Sequence, residues 1–176
     1  MPSSLIVQSL TAIAAAAGVA ATSVSGSFDN AYADENLKRL TRAEISQNAW
    51  SEFSRADQNG DHALDADEFA ALSIVKAELA HLNGFVTVEI DDKVHKIDLP
   101  ISAPVALKSG EHARIEAVAR HTFYAFAGAD AKMAADDYIA MHEALFASAD
   151  ANHSKTLTKR ELTYYGASQA NISTGA

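Results

Sequence analysis

The sequence contains no cysteine. Disulfide frameworks, thiolate metal sites and cysteine nucleophiles are therefore excluded, while compartment stays open, because such a chain folds equally well in oxidising or reducing surroundings. Positive charge is scarce too: 14 Lys and Arg stand against 23 Asp and Glu, a formal net charge of −9. That balance argues against a nucleic-acid partner, which needs clustered Lys and Arg for phosphate. It suits a divalent cation, although many soluble proteins are acidic for solubility alone. Large apolar side chains are few: seven Phe, five Tyr and one Trp, with Ala swelling the 48% hydrophobic share. No Gly-rich phosphate cradle or nucleophile elbow occurs. Of seven histidines, His62 and His153 lie in acidic stretches, and His81, His95, His112, His121 and His142 are scattered without zinc-ligand spacing. No catalytic residue is expected, and the chain does not read as an enzyme. Its 176 residues suit one domain or two very small ones.

The first 28 residues carry no charged side chain. Residues 5–21 are mostly apolar and Ala-rich, and Ala31-Tyr32-Ala33 fits the small-x-small cleavage pattern of a bacterial secretory signal. Residues 1–33 are thus expected to be a signal peptide, with a periplasmic or secreted protein as the consequence. The absence of Lys or Arg near Met1 and the long spacer over 22–30 keep an unstructured or loosely helical tail, in a cytoplasmic protein, as the alternative. The stretch is too poor in Leu, Ile and Phe for a membrane anchor, so no membrane span is expected in the mature chain.

The folded part is expected over 34–168, with a flexible tail at 169–176 and fraying from Gly166. Thr41-Arg42-Ala43-Glu44 reads as a capping box, with Leu40 and Ile45 as its hydrophobic staple. Ile45, Ala49, Trp50 and Phe53 then fall on one helical face, and the helix ends near Ala56. A second helix carries Phe69, Leu72, Val75, Leu79 and Leu82 at spacings of three and four, and Asn83-Gly84 ends it. Alternation over 85–90 and 94–99, around Asp91-Asp92-Lys93, predicts a β-hairpin. Pro100 and Pro104 frame a loop. A third helix from Ser109 presents Ile115, Val118, Thr122, Phe123 and Phe126. A fourth spans 135–148 and a short fifth 158–165. The fold class is mainly α with an inserted hairpin.

One stretch occurs twice. Residues 53–69 align with 146–162, with identities at Phe53/Phe146, Ala56/Ala149, Asp57/Asp150, Asn59/Asn152, Leu64/Leu157 and Glu68/Glu161. Here the chain resembles the EF-hand family, of bacterial type: helix, twelve-residue calcium loop, second helix. Calcium takes six to eight oxygens at about 2.3–2.6 Å, so a short loop must turn many oxygens inward. In loop 57–68 the resemblance assigns Asp57, Asn59 and Asp61 to positions 1, 3 and 5. It assigns the Ala63 carbonyl to 7, Asp65 to 9 and a bidentate Glu68 to 12. In loop 150–161 the same roles fall to Asp150, Asn152, Ser154, Thr156, Thr158 and Glu161. Leu64 and Leu157 at position 8 imply short strands paired to a partner loop. Asp65 and Thr158 can also cap the exiting helices. Position 6, where the family uses Gly, holds His62 and Lys155, and weakened binding is expected from strain of about 1–3 kcal/mol.

A third, damaged copy is expected at 127–137. It keeps Phe123, Met133 and Asp137 in the frame but has Ala127 and Ala129 where ligands belong. It reads as a calcium-dead partner whose Met133 bridges to Leu157. The partner of loop 57–68 is left open between another degenerate segment, the hairpin edge and a second chain. The resemblance implies calcium as the bound ion and a sensor or buffer as the function. The alternative is a calcium-stabilised structural or adaptor protein that docks an unidentified protein partner through the hairpin and loop at 85–109.

Overall fold

A computed structural model describes residues 32–101 and 105–171, with side chains from residue 36 onward; most of the expected signal peptide, 1–31, lies outside the described residues, as do 102–104 and 172–176. The described part is mainly α with small sheets. Five helices run over Arg42–Ala56 (α1), Ala66–Asn83 (α2), Ser109–Phe126 (α3), Ala135–Ala149 (α4) and Arg160–Gln169 (α5). The strands are Tyr32–Asn36 (β1), Arg39–Thr41 (β2), Ala63–Leu64 (β3), Phe85–Ile90 (β4), Lys93–Asp98 (β5), Met133–Ala134 (β6) and Thr156–Thr158 (β7). Among these described residues, no helix is long and apolar enough to cross a membrane.

Local chemistry explains the boundaries. Thr41 caps α1 in a reciprocal box: its hydroxyl accepts from the Glu44 amide at 3.3 Å, and Glu44 accepts from the Thr41 amide at 2.7 Å. Asp65 and Glu68 repeat this at α2. Gly84 ends α2 at φ 77°, the left-handed conformation that favours glycine. β4 and β5 pair antiparallel through Asp91 and Asp92, both at positive φ (50° and 60°), the signature of a tight primed turn. β1, which spans the expected cleavage point at Ala33, joins the β5 edge in parallel.

Two buried clusters share the molecule. One joins Leu40, Ile45, Phe146, Leu157, Leu162 and Tyr165 to the inner hairpin face, Val86, Val88, Ile90, Ile97 and Leu99. The other joins Phe53, Leu64, Phe69, Phe123, Met133, Tyr138 and Met141. α1 and α4 contribute to both. A polar layer lies on their middle turns. Glu52, 8% exposed, accepts from Lys76 Nζ (2.8 Å), Asn48 Nδ2 (2.9 Å) and Tyr138 Oη (2.9 Å). Lys76 also donates to Gln169 Oε1 at 2.9 Å, and His142 Nδ1 meets Tyr165 Oη at 3.2 Å. Burial raises the Glu52 carboxyl, but Lys76 and the other donors outweigh it and hold it at about 2. Burial dominates at His142, 1% exposed, and depresses its imidazole to about 4.

Four expectations about buried faces and helix extent fail. Trp50 is off the buried face, 55% exposed and stacked on Phe53 at 6.2 Å. On α2 the buried face is Phe69, Ser73, Ala77 and Ala80; Leu79 and Leu82 are exposed, because small residues let the helix approach its neighbours. On α3, Ile115, Ala119 and Phe123 are buried and Val118 is exposed. The chain does not fray from Gly166: α5 continues to Gln169, and Gly166, Ala167, Gln169 and Ala170 are buried. A Cβ at Gly166 would come within 2.9 Å of Val86 Cγ2 and 3.1 Å of Ile97 Cγ2, so its missing side chain seats α5 on the hairpin.

Candidate metal centre

Loop 57–68 leaves α1 as loop 150–161 leaves α4. Asp57 and Asp150 end their helices with nearly the same backbone, φ/ψ −69°/86° and −74°/71°. Positions 4 and 6 then both turn left-handed: Gly60 (71°) and His62 (65°) in the first loop, His153 (56°) and Lys155 (65°) in the second. The strain foreseen at position 6 is present in both loops, and His153 adds a strained position 4 in one. Each leading Asp holds these turns. Asp57 Oδ1 accepts from the Gly60 amide at 2.8 Å and Oδ2 from His62 at 3.0 Å. Asp150 accepts likewise from Ser154 (3.0 Å) and Lys155 (2.9 Å).

The remaining side chains follow the loop path. Asn59 Oδ1 accepts from the Asp61 amide at 2.8 Å, and Asp61 Oδ1 from Ala63 at 3.0 Å. Glu68 reaches back across the loop: Oε1 accepts from the amides of Gln58 (3.1 Å) and Asn59 (3.4 Å), and Oε2 from Asp65 (3.1 Å). Asp65 caps α2, accepting from the Asp67 and Glu68 amides at 2.9 Å each. In the second loop Asn152 Oδ1 accepts from Ser154 at 2.8 Å, and the Ser154 hydroxyl donates to the Thr156 carbonyl at 2.9 Å. Glu161 stays at its own strand, accepting from the Thr158 amide at 3.1 Å. Thr158 does not cap α5 as expected; the helix starts at Arg160 after Lys159, with no side-chain cap.

The donor sets are oxygens throughout, the chemistry of a hard cation. Among the described residues no three His, Asp or Glu side chains converge as a ready-made metal cluster. Loop amides and Lys132 engage the carboxylates, and each expected set draws besides on Asn, Ser or Thr oxygens and on a carbonyl, from Ala63 or Thr156. The loops differ at position 12: the Glu68 carboxylate spans loop 57–68, whereas Glu161 stays beside Thr158.

Strand pairing corrects one expectation and answers an open question. Met133 pairs with Leu64, and Leu157 pairs with Leu40. The 127–137 segment is therefore the partner of loop 57–68, not of 150–161. The reason is length: α4 separates 127–137 from 150–161, and 15 residues of helix hold its two ends about 22 Å apart. Loops at opposite ends of one helix cannot pair. The partner of loop 150–161 was missed, yet it was signalled: Leu40-Thr41-Arg42-Ala43-Glu44 matches Leu157-Thr158-Lys159-Arg160-Glu161 at Leu, Thr and Glu. Sequence reasoning also missed Lys132, whose Nζ lies 2.8 Å from Asp61 Oδ2. This ion pair, ahead of the Ala63 amide, holds the Asp61 carboxyl below its ordinary range.

Between α2, α3, α4 and α5 lies a cleft of about 270 Å³, walled by Phe69, Leu72, Phe126, Met141 and Leu145, with Lys76, His142 and Gln169 also lining it. No family model matches the chain, and comparisons with curated proteins and with solved structures found no similar protein.

Proposed function

We propose that this chain is a calcium-binding protein of the EF-hand type, a sensor or buffer, holding ions in loops 57–68 and 150–161. The reading rests on one observation above others. Two loops of the same spacing turn left-handed at positions 4 and 6, and each pairs its position-8 leucine with another short strand. Ligands would be the side chains of Asp57, Asn59, Asp61, Asp65 and Glu68 with the Ala63 carbonyl in one loop. In the other they would be Asp150, Asn152, Ser154, Thr158 and Glu161 with the Thr156 carbonyl. The ion would supply charge neutralisation and cross-linking of helix ends, and the chain would do no chemistry on it. The hairpin's apolar face is packed in the core and its β5 edge is paired with β1, so less of it remains for the docking role considered from sequence.

Calorimetric titration of the full chain with calcium tests the proposal, together with a fluorescent probe of exposed apolar surface. Saturable binding that Glu68→Gln and Glu161→Gln each reduce supports it; no calcium heat in the parent chain refutes it. Probe binding that rises with calcium, as the apolar cleft widens, marks a sensor, and unchanged probe binding marks a buffer.

A further inference from the structure

We propose that Lys132, carried by the segment that lacks ligands of its own, competes with a divalent cation for Asp61 and so sets the affinity of loop 57–68. The inference rests on the calcium reading above. Register places the lysine: the pairs Ala63↔Ala134 and Leu64↔Met133 bring the residue before Met133 alongside the first loop. Its backbone is held there, the carbonyl accepting from the Gly128 amide at 2.8 Å and the amide donating to Asp130 Oδ1 at 3.2 Å. Its ammonium then meets Asp61 Oδ2 at 2.8 Å, while Asp61 Oδ1 serves the Ala63 amide. Both oxygens of the position-5 ligand are thus engaged.

A divalent ion in the loop needs an Asp61 oxygen that the ammonium also claims, and a displaced ammonium still faces the ion across a few ångströms. The competition is confined to one loop, since position 5 of loop 150–161 is the uncharged Ser154. Four carboxylates against two would otherwise make loop 57–68 much the tighter site. Lys132 narrows that gap, so the segment without ligands acts on the loop beside it.

The test is calorimetric titration of the full chain with calcium chloride, for the parent, Lys132→Gln, Lys132→Arg and Glu68→Gln. Glu68→Gln identifies the step that belongs to loop 57–68. Lys132→Gln is expected to tighten that step about three- to tenfold, the scale of a half-exposed ion pair plus repulsion of a divalent ion, and to leave the other step unchanged. Lys132→Arg keeps the charge and should bind like the parent. A Lys132→Gln chain that binds as the parent does, or more weakly, overturns the inference and leaves the functional reading standing. A parent titration indifferent to Glu68→Gln refutes the reading for this loop, and the inference with it.

Discussion

Replacing Lys76 by Met should destabilise the fold far more than its ordinary appearance in the sequence suggests. The ammonium makes two hydrogen bonds, to Glu52 at 2.8 Å and Gln169 at 2.9 Å, and its side chain is 18% exposed. Met keeps much of the length and apolar packing, so the change isolates the charge. Glu52 would stay buried with only Asn48 and Tyr138 as donors, and its carboxyl would rise from about 2. Stranding one member of a buried ion pair costs about 3–5 kcal/mol. The network keeps two neutral donors on Glu52, so the lower end, about 3 kcal/mol, is expected. Urea denaturation followed by helical circular dichroism measures it. Adding Glu52→Gln to Lys76→Met removes the stranded charge and should recover part of the loss. A Lys76→Met protein within about 0.5 kcal/mol of the parent would refute the reasoning, as would a double variant carrying the full sum of both single losses.

Acid should weaken the fold in two stages. His142 is held neutral at about 4 against roughly 6.5 when unfolded, so its contribution is complete above pH 6.5 and lost as pH falls toward 4. Glu52 is held ionised, and its contribution goes as pH falls from roughly 4.3 through about 2. Denaturation midpoints of the parent and His142→Gln between pH 7 and 5 check the first stage, which the variant should lack. His62→Gly should stabilise by about 0.5–1.5 kcal/mol, since φ 65° strains any side chain while glycine adds flexibility to the unfolded chain; a melting temperature at or below the parent's would contradict this. Removing calcium with a chelator should lower the melting temperature by about ten degrees or more, given 2.7 kcal/mol at a hundredfold excess over Kd. Magnesium should restore only part of that loss, because it demands tighter octahedral geometry, and superimposable melts with and without calcium would count against the loops supporting the fold.

Much of this architecture was legible because it is local. Thr41 and Glu44 announce a helix start, Gly84 a helix end, and Asp91-Asp92 a hairpin turn, each by chemistry confined to a few residues. The twelve-residue spacing of acids and amides placed both candidate loops. What could not be read was pairing over distance. Period alone put Leu79, Leu82 and Trp50 on buried faces, but burial depends on which neighbour approaches, and Ala77 and Ala80 allow the closer approach. Sequence order pairs Met133 with Leu157, but the rigid helix between the two loops forbids it and Met133 meets Leu64 instead. The buried Lys76–Glu52 pair and the Lys132–Asp61 contact join residues 24 and 71 positions apart. No motif marks them.

Equilibrium dialysis against calcium, on the full chain and its loop variants, measures the central claim most directly. The account expects two ions bound per parent chain at saturation, one in Glu68→Gln, one in Glu161→Gln and none in the double variant over the same concentration range. A double variant that retains two ions, or a parent that binds none, would contradict it.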